Sequence, residues 1–157
     1  MAEIERKFLV ERLPQGLKID SEDEIAQGYL ATGDDQVRLR RRGDRLLITA
    51  KRSHGLVRDE VEVPIGDESF EQLWTLTEGR RLQKTRLTTD VDGHTAEIDV
   101  YRGSLSGLQT VEVEFDDVDA AHAFTPPGWF ARELTDDPRY SNTRLAIEGL
   151  PSEQREA

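Results

Sequence analysis

Glu3, Glu5 and Lys7 recur with a period of two at the start of the chain, in Glu3-Ile4-Glu5-Arg6-Lys7-Phe8-Leu9-Val10. Successive side chains of a strand point to opposite faces, so these three would stand in one row. Ile4, Phe8 and Val10, with Arg6 among them, would line the other face. The spacing returns along the chain. Carboxylates come two apart at Glu60 and Glu62, Glu97 and Asp99, and Glu112 and Glu114. Cations do the same at Arg38 and Arg40 and at Lys84 and Arg86, with Lys7 and Lys51 besides. Adjacent carboxylates raise each other's pKa unless something offsets them, and a divalent cation does. Paired cations need an anion for the same reason. The chemistry these residues suit is the holding of a hard metal ion beside a highly charged anion.

Strands must position such rows, and the sequence supplies them. Short alternating runs bounded by Gly, Asp and Ser clusters read as strands over 3–10, 25–30, 37–42, 45–52, 58–65, 80–89, 95–101 and 109–115. Asp92-Gly93 is a two-residue hairpin signal. Residues 18–24 are polar and read as loop. A helix is predicted from an Asp67 N-cap to Gly79, with Phe70, Leu73 and Trp74 on one stripe. A short helix is expected over 119–124, stopped by Pro126-Pro127. A closing helix should run from Asp137-Pro138 to about Ile147, ended by Gly149. Roughly eight alternating strands can close into a barrel.

Two arrangements fit. Either the apolar faces form the core and the charges meet water, or the charges line a barrel whose apolar outside is covered by helices and loops. Same-sign pairs on single strands favour the second, because a solvated face mixes signs and includes Thr, Ser and Gln.

Composition bounds the rest. The chain has 157 residues, 34% of them charged, and a formal net charge of −11. That length suits one domain with a real core. An acidic balance argues against non-specific nucleic-acid binding. There is no Cys, and only His54, His94 and His122, so a metal site would be oxygen-ligated and suited to Mg²⁺, Mn²⁺ or Ca²⁺. No apolar run reaches membrane-span length and no signal peptide is visible, so no membrane association and a cytoplasmic setting are expected.

Glu3-Ile4-Glu5-Arg6-Lys7 resembles the ExExK signature of the CYTH, or triphosphate tunnel metalloenzyme, family. The Arg38/Arg40 strand, Lys51, Glu60/Glu62, Lys84-Thr85-Arg86, Glu97-Ile98-Asp99 and Glu112-Val113-Glu114 follow in the order of that family's tunnel-lining residues. The likeness is to small bacterial members that hydrolyse inorganic triphosphate. It implies a mainly β (α+β) fold: an eight-stranded antiparallel β-barrel forming a charged tunnel, with flanking helices and a C-terminal helix that plugs or gates it. One domain would span 1–150, with 151–157 a disordered polar tail. Lys7, Arg38, Arg40, Lys51, Lys84 and Arg86 would clamp triphosphate. Glu3, Glu5, Glu112 and Glu114 would hold Mg²⁺ or Mn²⁺. A second metal, or a carboxylate such as Glu60, Glu62 or Asp99, would orient or activate the attacking water, and Lys84 would act in acid–base catalysis. Tyr29 and Tyr140 are read as packing, Arg139 and Asn142 as tunnel-mouth or surface residues. A homodimer is implied by the family. The alternatives are an organic triphosphate such as thiamine triphosphate or ATP, hydrolysed or cyclised, and a non-catalytic polyphosphate- or nucleotide-binding module.

Overall fold

The computed structural model describes residues 4–54 and 57–155, with side chains assigned outside 53–58. Its nine strands are β1 (Ile4–Val10), β2 (Ser21–Ala31), β3 (Asp35–Arg42), β4 (Arg45–His54), β5 (Val57–Pro64), β6 (Arg81–Val91), β7 (His94–Tyr101), β8 (Gln109–Phe115) and β9 (Phe130–Glu133). They form one antiparallel sheet in the order β5-β4-β3-β2-β6-β7-β8-β1-β9. The mainly antiparallel class holds. Among the described residues the strands number nine rather than eight, and β5 and β9 remain the sheet's edges instead of joining to close a barrel.

Paired residues of an antiparallel ladder share a face, so the register sorts the chain into two surfaces. One carries Phe8, Val10, Val91, Ala96, Ile98, Val111, Val113 and Phe115, packed with Ala121, Phe124 and Phe130. This apolar outer face is covered by helix α2 (Val118–Ala123) and the loop that leads into β9. Asp117 caps α2 by accepting from the Ala120 amide at 2.7 Å. Trp129 packs edge-on to Phe130 in that loop, in keeping with its sequence context. Helix α1 (Asp67–Trp74) covers the outside of β3 through Phe70, whose ring lies 5.1 Å under the Arg41 guanidinium. Its N-cap is Gly66, not Asp67, and the helix tightens into a 3-10 turn at Thr75–Thr77. Gly28 lies so close to that turn that a Cβ there would sit 2.6 Å from Thr77 Oγ1.

The hairpin signal is met: Val91 pairs with His94 across Asp92-Gly93, which take φ of 52° and 83° as a tight primed turn demands. Several stretches differ from the sequence expectation. Residues 21–24 belong to β2, because Asp23 pairs with Arg42 at 2.9 Å and Glu24 accepts from Thr85 at 2.8 Å, so charge partners replace apolar burial. The closing helix is broken in two. Pro138–Tyr140 makes a 3-10 turn capped by Asp137, Ser141 is extended, and α3 (Asn142–Glu148) begins afresh and ends at Gly149 with φ 79°. Residues 152–155 of the supposed tail form a helical turn, α4 (Ser152–Arg155), whose Glu153 accepts from Tyr140 Oη at 2.9 Å and pairs with Arg139 at 2.8 Å.

Candidate active site

The second face of the sheet carries the charges. Register places Glu5 beside Glu114, and Lys7 beside Glu112 and, one strand further, Glu97. Arg86 pairs with Asp99, and Lys84 with Tyr101. Across β2, Gln27 pairs with Arg40 and Tyr29 with Arg38, then Arg38 with Thr49 and Thr49 with Glu62. Lys51 pairs with Glu60. The sequence-derived pairs therefore share one surface, with their apolar neighbours on the other, as the inside-out arrangement requires.

That surface is concave. The short segment 140–143 touches it from within at both ends: Lys7 Nζ of β1 donates to the Tyr140 carbonyl at 2.7 Å, and Gln36 of β3 donates to Thr143 Oγ1 at 2.7 Å. Between them Asn142 meets β6 and β7. One end of the interior is filled by apolar side chains, in which Leu82, Tyr101, Leu105, Leu108, Leu134, Tyr140 and Leu145 pack together against Leu9. Leu145 brings α3 into that plug.

At the centre lies a buried ionic triad. Lys84 Nζ donates to Asp99 Oδ2 at 2.8 Å, while Arg86 grips the same carboxylate from Nε at 2.8 Å and a terminal nitrogen at 3.0 Å. The side chains of Lys84, Asp99 and Arg86 are 0%, 6% and 8% exposed. Arg86 also meets Glu97 at 3.1 Å. Burial opposes the charge on Lys84, Arg86 and Arg40 add repulsion, and Asp99 only partly compensates, so its pKa falls to about 7. Although burial pushes the Asp99 carboxyl up, Lys84 and Arg86 hold it well below the usual carboxylate range. Burial works against Arg86 as well, but the hydrogen bonds and charge of Asp99 keep its guanidinium firmly protonated.

The flanking cations are crowded too. Arg40 donates to Gln27 Oε1 at 3.1 and 2.9 Å, and Gln27 in turn donates to Tyr29 Oη at 3.0 Å. Burial, then Arg38 and Arg86, lower the Arg40 pKa to about 10. Among the described residues Arg38 Nε is buried without a hydrogen-bond partner, and its guanidinium lies 3.9 Å from the Glu62 carboxylate. Lys7 is lowered by burial. A guanidinium left short of acceptors, next to depressed amines, is what an absent anion would satisfy.

The sequence-predicted residues divide by position. Lys7, Arg38, Arg40, Lys84 and Arg86 converge on the interior; Lys51 stands further out, 4.0 Å from Glu60. Glu60 and Glu62 lie exposed on edge strand β5, where Glu62 accepts from Thr49 at 2.7 Å. Asp99, a candidate water-orienting group by sequence, accepts hydrogen bonds from two cations, Lys84 and Arg86. Glu5, Glu112 and Glu114 share the interior face near the mouth, while Glu3 lies outside the described residues. Glu5, Lys7 and Glu112 line a cleft with Thr135, Asp136, Asp137, Pro138, Tyr140 and Ser141. Among the described residues no three acidic or imidazole side chains converge tightly enough to cage a metal by themselves. The donor set still suits Mg²⁺ or Mn²⁺, which bind through one or two carboxylates and take their remaining oxygens from substrate and water. Tyr29 is on the interior wall rather than only packing. Tyr101 lines the candidate site and is missed by sequence reasoning, although its parity with Glu97 and Asp99 puts it on the charged face.

A curved antiparallel sheet with a charged concave face and a C-terminal helix filling one end defines a β-tunnel protein. The CYTH domain family matches residues 1–136, and the chain belongs to it. It is 48% identical over 150 residues to an inorganic triphosphatase of Nitrosomonas europaea, covering 94% of this chain and 98% of that one. It is 36% identical over 152 residues to an inorganic triphosphatase of Acetivibrio thermocellus, covering 91% and 92% of the two chains. The crystal structure of an inorganic triphosphatase superposes with a TM-score of 0.79 at 44% identity, over 96% of this chain and 97% of that one. A conserved hypothetical protein from Pyrococcus furiosus, 19% identical with a TM-score of 0.57 over 78% and 83% of the two chains, shares the fold alone.

Proposed function

We propose that this protein hydrolyses inorganic triphosphate to pyrophosphate and phosphate within its tunnel, with Mg²⁺ or Mn²⁺ bound. The observation that carries this is the interior lane of cations, in which Arg38 has a buried donor without an acceptor among the described residues and Lys84 and Arg40 are held below their ordinary pKa values. Such crowding is costly unless a polyanion enters. The two inorganic triphosphatases that the chain resembles over nearly its whole length point to the substrate. The apolar plug of Tyr101, Leu145 and their neighbours adds support, because it leaves little room at that end for an organic group.

Lys7, Arg38, Arg40 and Arg86 would bind the phosphate oxygens, the arginines through forked donors. Lys51 would meet the outer end of the chain of phosphates. Glu5, Glu112 and Glu114, with Glu3, would hold the metal ion, which supplies neutralisation of charge on the phosphate oxygens. Glu60 and Glu62 would orient the attacking water from β5. Lys84, with a pKa near neutrality, would accept the proton from that water as its oxygen bonds the terminal phosphorus and the bridging P–O bond breaks. Asp99 keeps Lys84 and Arg86 in place. Catalysis is then mostly positioning and charge stabilisation.

Phosphorus-31 NMR of the purified protein with triphosphate and Mg²⁺ tests this. The expected products are equal amounts of phosphate and pyrophosphate. Bound but unconverted triphosphate would make the protein a binding module instead.

A further inference from the structure

Asn142 opens α3 and is where the C-terminal segment reaches Lys84. Its Oδ1 accepts a 2.7 Å hydrogen bond from Tyr101 Oη and lies 3.5 Å from Lys84 Nζ. Tyr101 is 1% exposed. Burial raises its pKa well above the ordinary value, so the hydroxyl stays protonated and donates. That donation fixes which end of the amide faces inward, because only the oxygen can accept it. A protonated Lys84 has three N–H bonds. Asp99 takes one at 2.8 Å, Asn142 lies toward a second, and the third is left for a ligand.

We propose that Asn142 is a positioning residue for the Lys84 amine, with Tyr101 locking its amide, so that α3 sets the direction from which Lys84 meets the reacting water. The proposal rests on the triphosphatase reading only for what Lys84 meets; the hydrogen-bond geometry stands apart from it. The groups facing Lys84 are Asp99 and Tyr101 from β7, Arg86 along β6, Arg40 from β3, uncharged Ile25 from β2 and neutral Asn142 from α3. Asp99 favours the ammonium and the two arginines oppose it. The Asn142 carbonyl adds to the ammonium's side without adding charge.

The test uses the full chain. The Lys84 amine is titrated by NMR of labelled lysine, its signal assigned by its loss in Lys84→Arg, and the pH profile of kcat/KM for triphosphate is recorded alongside. Asn142→Leu removes the acceptor at similar size, and the Lys84 pKa should fall by about half a unit to one unit. Asn142→Asp adds an anion and should raise it by about one unit or more. Tyr101→Phe frees the amide and should shift it less, in the direction of the Leu variant. The pH limb should move with each, and kcat of Asn142→Leu should drop about tenfold with KM changed far less. Should Asn142→Leu fail to fold, the other two variants decide. An unmoved Lys84 titration in both Asn142→Asp and Tyr101→Phe overturns the proposal. Shifted titrations in a protein that does not hydrolyse triphosphate would uphold the positioning role and reject the proposed function.

Discussion

Asp99→Asn removes an anion that two buried cations share. The wild-type carboxylate accepts three hydrogen bonds, from Lys84 Nζ and from two nitrogens of Arg86. An Asn keeps one acceptor oxygen and turns an NH₂ toward one of the cations. Breaking a buried ion pair costs about 3–5 kcal/mol. Glu97, 3.1 Å from Arg86, retains part of the compensation, so the lower end, about 3 kcal/mol, is the expected loss near pH 6. Arg86 cannot shed its proton, but Lys84 can. Asp99 raises the Lys84 pKa, so the variant amine deprotonates at lower pH than the wild-type value of about 7. Between those two pKa values the wild type binds more protons than the variant. The stability difference therefore shrinks as pH rises, and by pH 9 the Lys84–Asp99 charge pair is already discharged in the wild type. Urea unfolding followed by the fluorescence of Trp74 and Trp129 measures this at pH 6 and pH 9. A loss under about 1 kcal/mol at pH 6, or the same loss at both pH values, would refute the buried-triad account.

Metal removal and one carboxylate test the mouth of the tunnel. Chelation should abolish turnover, and Glu5→Gln should raise the Mg²⁺ concentration for half-maximal rate by about tenfold or more, judging by what loss of a supporting carboxylate costs metal sites. Near wild-type metal dependence in that variant would exclude Glu5 as a ligand. Gly28→Ala should lower stability by about 1–3 kcal/mol, as overpacking does, because its Cβ would meet Thr77 at 2.6–2.7 Å. Thr77 is buried and tied to the Trp74 carbonyl and to Arg81, so it cannot step aside freely. Thermal unfolding reads the loss, and an unchanged midpoint would mean the turn yields.

The period-two rows carry most of the fold, because a strand's parity is fixed by geometry and a one-residue slip would put every charge on the wrong face. Alternation by itself therefore assigns the pairs from Lys7 to Glu114 to one surface. Elements with weak or competing signals are harder to read. Phe130–Glu133 is short and follows two prolines and a glycine, yet forms β9, held to β1 by Arg6–Glu133 at 2.8 Å. Residues 21–24 look like loop because their partners, Arg42 and Thr85, are distant in sequence. The partners of Asp99 are illegible for a related reason. Alternation shows that it faces inward with Glu97, but only the fold shows Lys84 and Arg86 closing on it. Tyr101 shows the reverse. Its parity is visible, but an aromatic at a strand end reads as packing until Asn142 is found 2.7 Å from its hydroxyl.

Initial rates of phosphate release from inorganic triphosphate, ATP and thiamine triphosphate at matched concentration, with and without Mg²⁺ or Mn²⁺, bear most directly on the central claim. Fast release confined to metal-supplemented inorganic triphosphate is the predicted result. Preference for either organic triphosphate, or equal rates after chelation, would contradict it.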